Sequence, residues 1–376
     1  MRSAEKCFIA VLLAATLALP SIQLDACTGI TLKAQNGDIV YARTMEWGTS
    51  DIKSRIMILP RNHEYSARVP EGTRAFQWKG VYGIAGIELF EAGRYADAIN
   101  EKGLVVGLFY HPGFAEYAKY DPARWDRQIA PTDVASYLLS TCTNIAEVRA
   151  AFSKIEVAAI TDPILGIPAP IHLMITEPSG KQIIIEWVGG KPRFYDSALG
   201  VITNAPTYDW HLINLRNYTG MTLAPKPEID IDGIRFNPLG GGSGFLGLPG
   251  DFTPPSRFIR AAVFTHTARK TSDGQETLYE TFRILDNFNV PLGASEGAGE
   301  KSTDNPLRKL RSSTCWTIAY DMPAKAFYYH TANDRRVQKI DVAKIDFGNL
   351  KKPVLMKMDN GSQTILDRTG EIFAEK

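Results

Sequence analysis

Apolar side chains recur at every second position in some stretches of the 376-residue chain and at every third or fourth in others. Residues 27–32 alternate as a strand, Asn36-Gly37 is a two-residue turn signal, and residues 38–47 return as a second strand. Further strands are predicted around 83–86 and over 103–110, the latter after the turn Asn100-Glu101-Lys102-Gly103. Residues 132–152 carry Val134, Tyr137, Leu138, Ile145, Val148 and Phe152 at helical spacing, which predicts two helices broken at Thr143-Asn144. Strands over 171–176 and 182–188 flank the turn Pro178-Ser179-Gly180. A short helix over 209–218 is followed by helices over 256–267 and 275–287 and by strands over 314–320, 326–330 and 336–340. Helices come in blocks and do not alternate singly with strands, so the pattern predicts an α+β chain of antiparallel sheets layered with helices.

The first apolar run, residues 7–19, differs from the rest. It follows Arg2 and Lys6, is too short to span a bilayer and stops at Pro20. It reads as a secretory leader over residues 1–26, cut after Leu24-Asp25-Ala26, with residues 27–376 as one domain in the periplasm or outside the cell. The same four residues through Cys27 also approximate a lipobox, although Asp25 argues against that. A formal charge of +1 gives no reason to expect nucleic acid or an anionic membrane as partner, and no later stretch is long and apolar enough to span one. Cys27, Cys142 and Cys315 are too few for a disulfide scaffold; Cys142 and Cys315 are either paired or two buried thiols. We find no repeat, linker or low-complexity tract, and residues 238–255 read as a long loop.

The cut makes Cys27 chemically distinct. A free thiol has a pKa of about 8.5 and is mostly protonated at neutral pH, whereas an α-amine at about 7.7–8.0 is already partly neutral. A mature N-terminal cysteine therefore holds a nucleophile and its base on one residue. Arg43, on the paired strand, is a candidate for lowering the thiol pKa, and Glu46 for orienting the amine. The six histidines, His63, His111, His172, His211, His266 and His330, show no metal-ligand spacing, so no metal is expected. A papain-like Cys–His pair would not explain a cysteine at the cut. Residues 242–247 match GxGxxG but lack a leading strand and read as loop.

Cys27-Thr28-Gly29 with Tyr41-Ala42-Arg43-Thr44-Met45-Glu46-Trp47 resembles the choloylglycine hydrolase family, which includes bile salt hydrolases and penicillin V acylases. The likeness continues at Asn100-Glu101-Lys102-Gly103-Leu104, at 203–210 (Thr-Asn-Ala-Pro-Thr-Tyr-Asp-Trp), at 247–251 with Ser256-Arg257-Phe258, and at 328–336. It implies a four-layer αββα sandwich of the N-terminal nucleophile (Ntn) hydrolases, no cofactor, and a possible homotetramer. Carried over, it makes Cys27 the nucleophile, Arg43 its electrostatic partner, Asn204 the oxyanion donor and Arg257 an active-site cation. Two positions depart from it. Glu46 stands where Asp is usual, and the segment Phe109-Tyr110 replaces the Asn or Tyr beside the oxyanion, with either residue able to fill the slot. The expected reaction is hydrolysis of a linear non-peptide amide. A penicillin V-type acyl amide is the first choice, because Phe109-Tyr110 is aromatic and the bile-salt-type Asn is missing. Conjugated bile salts and N-acyl homoserine lactones are rivals. A non-catalytic or lipid-anchored binding protein on the same fold is the reading from another class.

Overall fold

Two antiparallel sheets stack face to face with helices on their outer sides in the computed structural model, which describes residues 27–48, 52–197, 199–291, 294–296, 311–362 and 365–372. The leader assigned to residues 1–26 lies outside the described residues. The first sheet is seven-stranded and runs Val201–Ile202, Thr28–Lys33, Ile39–Trp47, Arg311–Asp321, Ala326–Thr331, Gln338–Asp341, with Ser295–Glu296 added to Arg311–Asp321. The second is eight-stranded and runs Lys191–Asp196, Gln182–Val188, Ile171–Thr176, Val105–Tyr110, Tyr95–Asn100, Ile84–Glu88, Arg55–Leu59, Val354–Lys357.

Helices Pro254–Thr267 and Gly274–Asp286 cover the first sheet, and Val134–Thr141 lies against the second. Gly274–Asp286 starts where Asp273 caps the Glu276 N–H, and it buries Leu278, Phe282 and Leu285. Asn144 likewise caps Ile145–Ala151 through the Glu147 N–H, at the break expected from the sequence. The predicted strands and helices all appear, with ends shifted by a few residues, and residues 242–247 lie in a loop with one 3-10 turn at Ser243–Phe245. Cys142 and Cys315 are buried in different apolar clusters and are not joined by a disulfide.

Alternation along Ile39–Trp47 divides its roles, since successive side chains point to opposite faces. Tyr41, Arg43, Met45 and Trp47 point between the sheets, where Tyr41 donates to Asp97 at 2.8 Å and Arg43 to the Leu108 carbonyl at 2.5 Å. Thr44 and Glu46 point to the helical side, beside Thr314. Both faces of this strand are covered, so all of it is buried.

Candidate active site

Cys27 immediately precedes the first strand, whose register sets Thr28 opposite Thr44 and Gly29 opposite Arg43. Gly29 is required here: a Cβ would stand 2.7 Å from the Phe109 ring and from Ile202. The Phe109 ring in turn lies 4.2 Å under the Arg43 guanidinium. That cation is fully buried and donates to the Thr44, Ala96 and Leu108 carbonyls. Asp97 stands 3.7 Å from it. The Met45 sulfur lies between cation and thiol, 3.4 Å from Arg43 Nη2 and 3.6 Å from Cys27 Sγ. Burial pushes the Cys27 thiol pKa up; Arg43 pulls it down, Glu46 pushes it up, and the Glu46 N–H and Arg257 pull it down. The net direction is up, which favours the protonated thiol, so a nucleophilic role for this sulfur would call for a base.

Asn204 and Arg257 hold the backbone of Cys27. Asn204 Oδ1 accepts from Cys27 N at 2.9 Å and from Arg257 Nη2 at 2.7 Å, while its Nδ2 donates to the Tyr110 carbonyl at 2.7 Å. Arg257 only donates, which fixes which end of the amide faces it. Arg257, buried on helix Pro254–Thr267, also donates to the Cys27 carbonyl at 2.6 Å, to Thr28 Oγ1 at 2.9 Å and to the Phe252 carbonyl at 2.8 Å. Glu46 accepts from Thr44 Oγ1 at 3.0 Å and from Thr314 Oγ1 at 2.7 Å. Burial pushes its carboxyl up to about 7, against the pull of Arg257 and the two hydroxyls. Cys27, Arg43, Glu46, Asn204 and Arg257 are thus brought together, with Arg43 and Glu46 on opposite faces of one strand.

Phe109 and Tyr110 line a cleft of about 650 Å³, partly open to solvent, together with Cys27, Met45, Trp47 and Phe90. Trp47 meets the edges of Phe90 and Tyr110 at 5.5 and 5.8 Å. An ion pair between Arg94 and Asp162 also borders it.

Asp97 escaped the sequence reading. Its strand, Tyr95–Asn100, pairs with Val105–Tyr110, and Gly107 opposite it leaves room for the Tyr41 hydroxyl. Burial pushes the Asp97 carboxyl up to about 7, opposed by Arg43, Tyr41 and Tyr320. A carboxyl raised by folding favours the folded state fully below its unfolded pKa and loses that advantage as pH rises through the folded value. Between about pH 4 and 7 the wild type is therefore expected to lose stability relative to Asp97→Asn, on the order of 1–3 kcal/mol. Melting curves of both proteins over this interval check the sign. A wild type that gains on the variant contradicts it.

Also unanticipated, His111, His172 and Glu186 come from three separate segments and bring ligand-capable atoms within 4.8 Å of one another, all buried.

The sheet-on-sheet architecture between helical layers is the Ntn-hydrolase fold. More narrowly, the chain belongs to the choloylglycine hydrolase family, linear amide C–N hydrolases, which it matches over residues 27–356. It is 31% identical over 322 residues to a bile salt hydrolase/transferase of Clostridium perfringens, covering 85% of this chain and 93% of that one. It is 24% identical over 352 residues to a penicillin V acylase of Pectobacterium atrosepticum, covering 88% and 85%. The crystal structure of a mutant conjugated bile acid hydrolase from Clostridium perfringens superposes with a TM-score of 0.77 at 26% identity, covering 91% of this chain and 99% of that one.

Proposed function

We propose that Cys27, freed by removal of residues 1–26 on export to the periplasm or beyond, is the N-terminal nucleophile of an amide hydrolase. The observation that carries this is the hold on Cys27. Its nitrogen is bound by Asn204, its carbonyl by Arg257, and its sulfur faces an apolar cleft beside Met45 and Arg43. While residue 26 is attached, the nitrogen is an amide and has no basicity. The cut turns it into an amine able to take the thiol proton, directly or through water.

The sulfur then attacks the substrate carbonyl carbon, and the oxyanion is stabilised by the Asn204 Nδ2–H and backbone N–H groups. The Cys27 α-ammonium protonates the leaving nitrogen as the C–N bond breaks. Water hydrolyses the thioester, releasing the acid and restoring thiol and amine. Glu46, held by two threonine hydroxyls, supplies the carboxylate that balances the ammonium.

An amide with a flat aryl acyl group, as in phenoxyacetyl amides, is the proposed substrate class. The rings of Trp47, Phe90, Phe109 and Tyr110 in the cleft support it. Conjugated bile salts are the second reading, favoured by the 31% identity to a bile salt hydrolase/transferase. A homotetramer, as the family resemblance implies, is the proposed assembly.

The test pairs two measurements on exported, purified protein. Mass spectrometry is expected to find an unmodified chain beginning at Cys27; a diacylglyceryl cysteine or an intact leader refutes the mechanism. Turnover of phenoxymethylpenicillin is expected to exceed that of taurocholate, and strong taurocholate hydrolysis without phenoxyacetyl cleavage reverses the substrate order.

A further inference from the structure

We propose that His111, His172 and His211, with Glu186 behind them, are positioning residues that fix the backbone presenting Asn204 to Cys27. This inference rests on the reading of Asn204 as part of the site. Three carbonyl contacts within residues 203–206 carry it. His172 Nε2 meets the Thr203 carbonyl at 3.0 Å, His211 Nε2 the Asn204 carbonyl at 3.0 Å, and His111 Nε2 the Pro206 carbonyl at 3.3 Å. A carbonyl accepts only, so each imidazole carries its proton on Nε2. All three rings are nearly or wholly buried.

These donors come from different parts of the fold. His172 lies on Ile171–Thr176, His111 follows Val105–Tyr110, and His211 is on helix Tyr208–Leu215. The His111 and His172 rings stack at 4.2 Å with planes 1° apart. His211 stacks on Phe258 at 4.6 Å, the residue after Arg257, and so ties the segment to the helix that holds the Cys27 carbonyl. Glu186 Oε1 accepts the Tyr208 N–H at 2.8 Å and lies 3.3 Å from His172 Nδ1. Burial pushes His111 and His172 down to about 3 and His211 to about 4, which favours neutral imidazoles; with His172 donating from Nε2, the contact to its Nδ1 then calls for the proton on the Glu186 carboxyl, which burial also pushes up.

The same atoms suit a metal ion poorly. An imidazole offers its lone pair in the plane of the ring, and a shared ion would have to lie in both ring planes. Parallel stacked planes have no common point. One nitrogen of each ring already faces a backbone carbonyl. The cluster is therefore built to hold the chain.

The test compares His211→Leu with His211→Gln in the full-length exported protein, since a glutamine amide can replace the Nε2 donor. His211→Leu is expected to lower kcat about 10–100-fold with KM within about twofold, as for a group that acts on the transition state through another. His211→Gln is expected to recover most of the loss. Because Asn204 also holds the Cys27 nitrogen, the pH profile of Cys27 alkylation by iodoacetamide is expected to shift in His211→Leu and to return in His211→Gln. If His211→Leu does not fold, His111→Phe removes the Pro206 contact and the ring nitrogen 3.8 Å from Glu186, retains a ring against His172, and carries the same test. Wild-type kcat and alkylation profile in the leucine variant, no rescue by glutamine, or stoichiometric zinc in the purified protein each overturn the proposal. Cys27→Ser, assayed beside them with phenoxymethylpenicillin and taurocholate, tests the nucleophile separately. Full activity there removes the nucleophile reading, while the alkylation profiles of the histidine variants still judge the clamp.

Discussion

Cys27→Ala is expected to reduce amide hydrolysis by about 10⁴-fold or more, to the level left by binding and oxyanion contacts alone. The substitution deletes one sulfur and little else. Asn204 binds the nitrogen of residue 27 and Arg257 its carbonyl, and neither bond involves the side chain. The variant should therefore fold with the cleft intact and bind substrate normally. Among the described residues, no second thiol lines the cleft. Cys27→Ser tests the base as well. A hydroxyl is far less acidic than a thiol, so the proposed α-amine base would be weak towards oxygen, and a loss of at least about 10²-fold is expected. Single-turnover assays on correctly processed protein measure both. Activity of Cys27→Ala within tenfold of wild type would sink the nucleophile assignment.

Much of this site can be read from one hairpin. Asn36-Gly37 fixes the turn, and the turn fixes a register in which Arg43 faces Gly29, next to the thiol. The parity of the same strand carries more than spacing alone suggests. Arg43 and Glu46 are an odd number of residues apart, so one points between the sheets and the other toward the helices. Glu46 accordingly reaches Thr314 on the neighbouring strand, a partner 268 positions away that no local pattern marks.

Other parts were hidden for physical reasons. Tyr95–Asn100 carries Ala96 and Ala98 and polar residues, so it shows little apolar alternation. It is buried because bulkier neighbours close over it, and Asp97 was hidden with it. Arg55–Leu59 and Val354–Lys357, too short to give a periodic signal, pair at one edge of the second sheet. The histidines defeated a search for ligand spacing because their link is spatial. Strands around 110 and 172 bring two of them together, and the segment 203–206 is what they share. The family resemblance named Asn204 but said nothing of what holds it.

Asn204 carries the second large effect, and two substitutions separate its two functions. Its Oδ1 serves the ground state, accepting from Cys27 N and Arg257, while its Nδ2 is the proposed oxyanion donor. Asn204→Ala removes both. A lost oxyanion donor lowers kcat about 10²–10³-fold. The buried Arg257 and the Cys27 nitrogen also lose an acceptor, which costs about 1–3 kcal/mol of stability. Asn204→Asp keeps an acceptor for Arg257 and the Cys27 nitrogen but replaces the donor with a carboxylate oxygen, which faces the Tyr110 carbonyl and repels the oxyanion. Its kcat should fall at least as far as that of the alanine variant, yet it should melt at a higher temperature than the alanine variant because Arg257 Nη2 keeps its acceptor. Measured together, kcat and melting temperature thus rank the variants differently. A common ranking in both would mean that Asn204 acts only as scaffold for Cys27 and that the oxyanion is stabilised elsewhere.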